Sequence, residues 1–240
     1  MYGSSPTYRR HLRENLTQAG LDRASLRRAA VAAAGQMLLE LPAIWFRPRP
    51  AVRALVKRVH GVEAVLAARD AGKALLFLTP HMGCFEVAAQ YATLYTPITV
   101  LYRRPKLAWI EPLMRAGRAR EGVRLAPADF SGVRQVYGAL KRREAVGFLP
   151  DQVPGIGEGQ WAEFFGRPAY TATLAGRLAA RADVACFLAY AQRLPRGAGY
   201  EIVLRPLPQT EPGETPARRV NRALEALVRE CPEQYLWGYN

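Results

Sequence analysis

The sequence predicts an α/β fold: a single domain whose central sheet is mostly parallel and flanked by helices, with a basic helical N-terminal extension. Two observations carry most of this reading. Short apolar runs recur at 74–79, 98–102, 123–125 and 146–149, with the unbroken hydrophobicity of strands buried on both faces. Between them lie segments of helical period at 84–94, 107–120 and 131–143, which is the rhythm of βαβ units. A third observation sets the domain count. The connections are short and carry neither a Pro/Ser-rich linker nor an internal repeat, so residues 51–240 are expected to form one domain and 1–50 its extension.

In chain order, helices are expected at 51–58 and 62–71, then the first buried strand, Ala74 to Thr79, bounded by Lys73 and Pro80. The alternating elements above follow. After a glycine-rich loop at 155–159 come an aromatic segment from Trp161 to Phe165, a helix at 172–182, strands at 184–191 and 200–205, and a closing helix at 216–230.

Composition limits the functional classes. Of 240 residues, 50% are apolar and 22% charged, a globular profile. Cys84, Cys186 and Cys231 are far apart, so neither a disulfide framework nor a zinc site is expected, and a reducing compartment fits. There is no secretory signal pattern. The net charge is +14, which implies a partner rich in phosphate or acid: nucleic acid, an anionic membrane surface or an acidic carrier. Residues 1–58 hold eleven Arg/Lys against Glu14, Asp22 and Glu40, so +8 of that charge is N-terminal. RNA recognition needs exposed aromatics interleaved with the basic residues. Here the aromatics fall in expected strands and amphipathic helices, so no nucleic acid is expected.

The stretch from Ala29 to Phe46 has no basic residue, but Gly35, Gln36, Glu40 and Pro42 interrupt it, and no run is read as a bilayer span. Met37, Leu38, Leu41, Ile44 and Trp45 are expected to form one apolar face flanked by arginines, as in a helix lying on anionic lipid. The alternative is a helix packed on its own domain with a solvated basic face.

Ligands of parallel sheets sit at the carboxyl ends of strands, and the first such end is the most informative. In Thr79-Pro80-His81-Met82-Gly83-Cys84-Phe85-Glu86, Gly83 permits a tight turn and Glu86 falls in the first turn of the next helix. A Glu86 carboxylate on one imidazole nitrogen of His81 would fix the tautomer and leave the other nitrogen to take a proton from a hydroxyl. The plainer alternative is a helix cap. Cys84 offers a rival as an acylated nucleophile, although a buried thiol is the commoner role for free cysteine. His11 and His60 are read as ordinary surface or helix-end residues. The loop at 155–159 lacks the Lys-Ser/Thr of a phosphate-binding loop, and no cofactor or metal site is indicated.

Taken together the motifs resemble those of the bacterial late acyltransferases of lipid A biosynthesis. The likeness rests on His81-x4-Glu86, Tyr102-Arg103-Arg104-Pro105, Arg118-x3-Gly122, the AVGFLPDQ block from Ala145 to Gln152, Phe164-Phe165-Gly166-Arg167-Pro168-Ala169 with Thr171, and Pro232 to Trp237, in order over about residues 8–237. The resemblance implies transfer of a fatty acyl group from an acyl carrier protein thioester, or acyl-CoA, to a lipid hydroxyl. It implies His81 and Glu86 as the catalytic pair, Arg118 and Asp151 as substrate-binding positions, and a peripheral place on the cytoplasmic face of the inner membrane. A lipid A precursor or related lipid is the expected acceptor; a glycerophospholipid, ornithine-type lipid or glycolipid is the alternative. The chain departs from the pattern in having Cys84-Phe85 where the family usually shows asparagine and tryptophan. The family's N-terminal membrane helix is not seen ahead of Tyr8.

Overall fold

A computed structural model describes residues 5–105 and 107–238; the outermost residues of both expected segments and Lys106 lie outside it. Two helices open the chain, α1 (Pro6–Gln18) and α2 (Ala24–Phe46), followed by the short α3 (Arg49–Arg53). The remaining elements are β1 (Val56–His60), α4 (Val62–Asp70), β2 (Ala74–Leu78), α5 (Phe85–Ala92), β3 (Ile98–Tyr102), α6 (Glu111–Arg118), β4 (Val123–Pro127), α7 (Phe130–Lys141), β5 (Ala145–Phe148), β6 (Gly159–Phe164), β7 (Arg167–Ala172), α8 (Thr173–Ala179), β8 (Val184–Arg193), β9 (Tyr200–Pro206) and α9 (Pro216–Glu230). The main sheet has the order β1-β9-β8-β2-β5-β3-β4. All its pairings are parallel except β8 with β9, so the α/β reading holds.

β2 shows why. Each of its five residues is buried, and the two-residue period of a strand sends them alternately to opposite faces. Leu76 and Leu78 join a core with α1, α7 and α9, while Leu75 and Phe77 join a second core with α5 and α6. Helix α9 matches its face by helical spacing: Val220, Ala223, Leu224, Leu227 and Val228 are all buried. Leu12 and Leu16 of α1 are fully buried in the same core.

Three expectations need correction. Residues 51–58 are not one helix: α3 ends at Arg53 and β1 pairs in parallel with β9 at the sheet edge. Val56 and Val59 suit that strand, and long-range pairing outweighs the local helical period. His60 therefore ends a strand rather than a helix, and it meets Glu201 at 3.0 Å on the surface. Gly61, at φ +77°, is required there, because a Cβ would lie 2.1 Å from the Leu204 carbonyl oxygen.

The aromatic segment is the first arm of an antiparallel β6–β7 hairpin. Its turn places Phe165 and Gly166 at φ +49° and +76°, a two-residue turn with both φ positive. Finally, α2 is long and apolar enough to cross a membrane by length and composition, with a mean hydropathy of 1.4 over its best window. Its alanines outweigh the single Glu40.

Candidate active site

Parallel pairing of β2 with β5 aligns Leu78 with Phe148. Each strand then runs three residues further, to His81 and Asp151, so the two side chains emerge side by side at the carboxyl edge of the sheet. Nδ1 of His81 lies 2.7 Å from Oδ1 of Asp151, and the His81 backbone N–H donates to Oδ2 at 2.7 Å. The histidine is 7% exposed, and the aspartate side chain 1%. A carboxylate held in this way accepts a hydrogen bond from Nδ1–H and leaves Nε2 as the basic nitrogen. On that side Gln152 places Nε2 of its amide 3.1 Å away, the position that an incoming hydroxyl would take.

The carboxylate on Nδ1 is thus Asp151, where the sequence reading expected Glu86. Glu86 lies in the first turn of α5 and is 6% exposed. It faces α6 and α2. Arg118 donates to Oε1 through Nε at 2.8 Å and also through Nη2, and the Trp45 indole donates to Oε2 at 3.2 Å. The guanidinium stands 5.8 Å from the Trp45 ring. Close packing at α6 makes this possible: a Cβ on Gly117 would lie 2.3 Å from Trp45.

His81, Glu86 and Arg118 line one cleft of 620 Å³, a size suited to a ligand much larger than a metabolite fragment. Phe77, Ile98, Val100, Met114 and Val123 line its apolar part. Phe164 and Phe165, from the block shared with the resembled family, are not among the lining residues. The Phe165 ring packs on Trp237 at 5.7 Å and is 6% exposed, a core role that follows from the hairpin turn. From α2 the row Met37, Leu41, Trp45 faces the cleft, while Leu38 and Leu39 are 41% and 83% exposed. Of the expected face, Met37, Leu41 and Trp45 thus line the cleft and Ile44 is fully buried beside them, packed on the domain itself, while Leu38 turns to the surface.

The C-terminal block braces the histidine turn. Leu236 N–H donates to the His81 carbonyl at 2.9 Å, and Gly83 N–H to the Gln234 carbonyl at 3.0 Å. Gly83 sits at φ +57°, with the Ala191 carbonyl oxygen only 2.1 Å from where a Cβ would lie. Cys84 is 1% exposed. Burial first, then the negative charge and hydrogen bond of Glu40, pushes its thiol well above the ordinary cysteine range. That disfavours the thiolate a nucleophile needs. Among the described residues no three His, Cys, Asp or Glu side chains gather as a metal-holding group.

Sequence reasoning did not assign Gln152 or Trp45 to this site. Gln152 was visible next to Asp151, whereas Trp45 reaches it only through tertiary packing.

Fold and site together define an α/β protein with a carboxylate-oriented histidine lining a largely apolar cleft. The chain belongs to the bacterial lipid A biosynthesis acyltransferase family, whose pattern it matches over residues 10–239. It is 26% identical over 207 residues to the lipid A biosynthesis lauroyltransferase of Escherichia coli K12, covering 85% of this chain and 67% of that protein. It is 27% identical over 206 residues to the palmitoleoyltransferase of the same organism, covering 85% and 66%. A lipid A biosynthesis acyltransferase of Haemophilus influenzae is 27% identical over 183 residues, covering 74% and 56%. The chain thus spans about two thirds or less of the length of these relatives.

Proposed function

We propose that this protein moves a fatty acyl group from an acyl carrier protein thioester, or acyl-CoA, to a hydroxyl of a lipid A precursor or related lipid, working at the cytoplasmic face of the inner membrane. The observation that carries the proposal is the His81–Asp151 pair at 2.7 Å, with His81 lining a largely apolar cleft.

In this reading the acceptor hydroxyl displaces the Gln152 amide and gives its proton to Nε2 of His81 as its oxygen attacks the thioester carbonyl carbon. Asp151 stabilises the imidazolium that forms. When the tetrahedral intermediate collapses, the C–S bond breaks and the imidazolium returns the proton to the departing sulfur. The acyl chain lies along Phe77, Ile98, Val100 and Met114, away from water. Glu86 and Arg118 act as a fixed ion pair in the cleft wall, with Arg118 retained as a substrate-binding position and Glu86 as part of the catalytic group.

The test is to incubate the purified protein with acyl thioesters of several lengths, on carrier protein and on coenzyme A, with a panel of lipid acceptors, and to weigh the products. An acylated lipid A precursor is expected. An acylated glycerophospholipid alone would move the acceptor to the alternative class, and no acylated lipid from any pairing would overturn the proposal.

The basic N-terminal region supplies the membrane contact in this reading. Arg23, at the N-cap of α2, and Arg28, in its first turns, are exposed, and Arg27 pairs with Asp22 at 2.6 Å. Each arginine near an anionic surface contributes about 1 kcal/mol, an attraction weakened by salt. Co-sedimentation with anionic liposomes is expected to fall with salt, and to fall at least about tenfold when all three are replaced by glutamine. Binding unmoved by either change would leave this face as ordinary solvated surface.

A further inference from the structure

The surroundings of Arg193 have no part in the chemistry above, yet they touch the turn that carries His81. Arg193, the last residue of β8, is 10% exposed at its side chain, and Glu40, in the middle of α2, 14%. The guanidinium Nε donates to both Glu40 oxygens at 3.1 and 3.0 Å, and Nη2 also donates to the Gly83 carbonyl at 2.8 Å. Tyr200 Oη donates to Glu40 Oε2 at 2.9 Å. The main chain of Arg193 is fixed as well: its N–H donates to Gln234 Oε1 at 2.8 Å, and its carbonyl accepts from Gln234 Nε2 at 3.0 Å.

We propose that Glu40 and Arg193 are positioning residues, a buried clamp through which α2 and β8 hold the His81–Cys84 turn in its working geometry. Gly83 lies two residues after His81, in a left-handed turn whose carbonyl Arg193 fixes and whose N–H Gln234 fixes. Lysine cannot replace this arginine, because one ammonium lacks the planar fork that spans a carboxylate and a carbonyl together. The clamp also joins the histidine turn to the helix that carries Trp45 to Glu86, so a shift in α2 would reach both His81 and Glu86. A displacement of about 1 Å in a reacting group costs about a hundredfold in rate.

The proposal rests on the acyl-transfer reading for its kinetic test, and on Cys84 for a test without substrate. Full-length variants Glu40→Gln, Arg193→Lys and the apolar pair Glu40→Leu/Arg193→Met are compared with the native chain. Glu40→Gln leaves the Arg193 charge unmatched and Arg193→Lys keeps the charge but loses the fork, whereas the double variant removes both charges. The expected result is a fall in kcat of at least about tenfold in all three with KM within about threefold, and thermal stability recovered in the double variant while kcat stays low. Recovery of both stability and kcat in the double variant would show a merely structural pair and overturn the clamp.

The second measurement maps iodoacetamide labelling of the native protein by mass spectrometry. Cys84, next to Gly83, is expected to label at least about tenfold faster in Arg193→Lys, which keeps the Glu40 charge beside the thiol, than in the native chain, while buried Cys231 does not change. Unchanged Cys84 labelling in Arg193→Lys would overturn the clamp. Should the native chain transfer no acyl group, the acyl-transfer reading fails and the labelling alone decides this inference.

Discussion

His81→Ala is expected to lower turnover by about 10²–10⁴-fold with the fold intact, because it removes the one group placed to take the hydroxyl proton. Asp151→Asn should come close to the same loss. The Nδ1 proton and the His81 backbone N–H both donate to this carboxylate at 2.7 Å, and an amide can accept only one of them well while offering a donor to the other. The imidazole then favours the other tautomer, with its proton on Nε2, where the base must be free. Steady-state kinetics with circular dichroism of each variant checks this. An Asp151→Asn protein of native turnover would remove the aspartate from the mechanism and return the orienting role to Glu86.

Arg118→Ala should produce a large loss of stability. It strips the cation from a carboxylate that is 6% exposed, and breaking a buried pair from one side costs about 3–5 kcal/mol. With the Arg118 side chain 23% exposed, water can reach part of the vacated space, so about 3 kcal/mol is expected. Arg118→Met combined with Glu86→Gln should regain most of it, since no charge is then left unmatched. Chemical denaturation at neutral pH measures both. A loss below about 0.5 kcal/mol for Arg118→Ala would mean that the pair is solvated in solution.

Much of this site was legible in the sequence, and the remainder was hidden for identifiable reasons. His81 and Asp151 lie just past strand ends that hydrophobic runs alone locate, and parallel sheets bring such ends to one edge, whereas Arg118 closes the helix α6 and was legible only through the motif. The partner of His81 was not legible, because it depends on β2 lying beside β5 rather than β3. Nothing local to residues 74–79 encodes that neighbour. The direction of Glu86 was equally hidden: its place in the first turn of α5 follows from Phe85 opening the helix, but what it faces is set by α2 and α6. Trp45 reaches it across 41 residues of chain, and Arg193 reaches Gly83 across 110. The same limit misassigned β1, whose five residues become a strand only because β9 is there to pair with them.

The central claim is that His81 drives direct transfer between two bound substrates, with no acyl group stored on the protein. Rapid-quench mass spectrometry of the intact chain during a single turnover with acyl thioester and lipid acceptor tests it most directly. The lipid should gain the acyl mass at the rate the thioester is lost, while the protein's mass stays constant throughout. A protein species heavier by one acyl group, formed and consumed at that rate with the group mapped to Cys84, would contradict direct transfer and put the thiol in place of the histidine as the group that receives the chain.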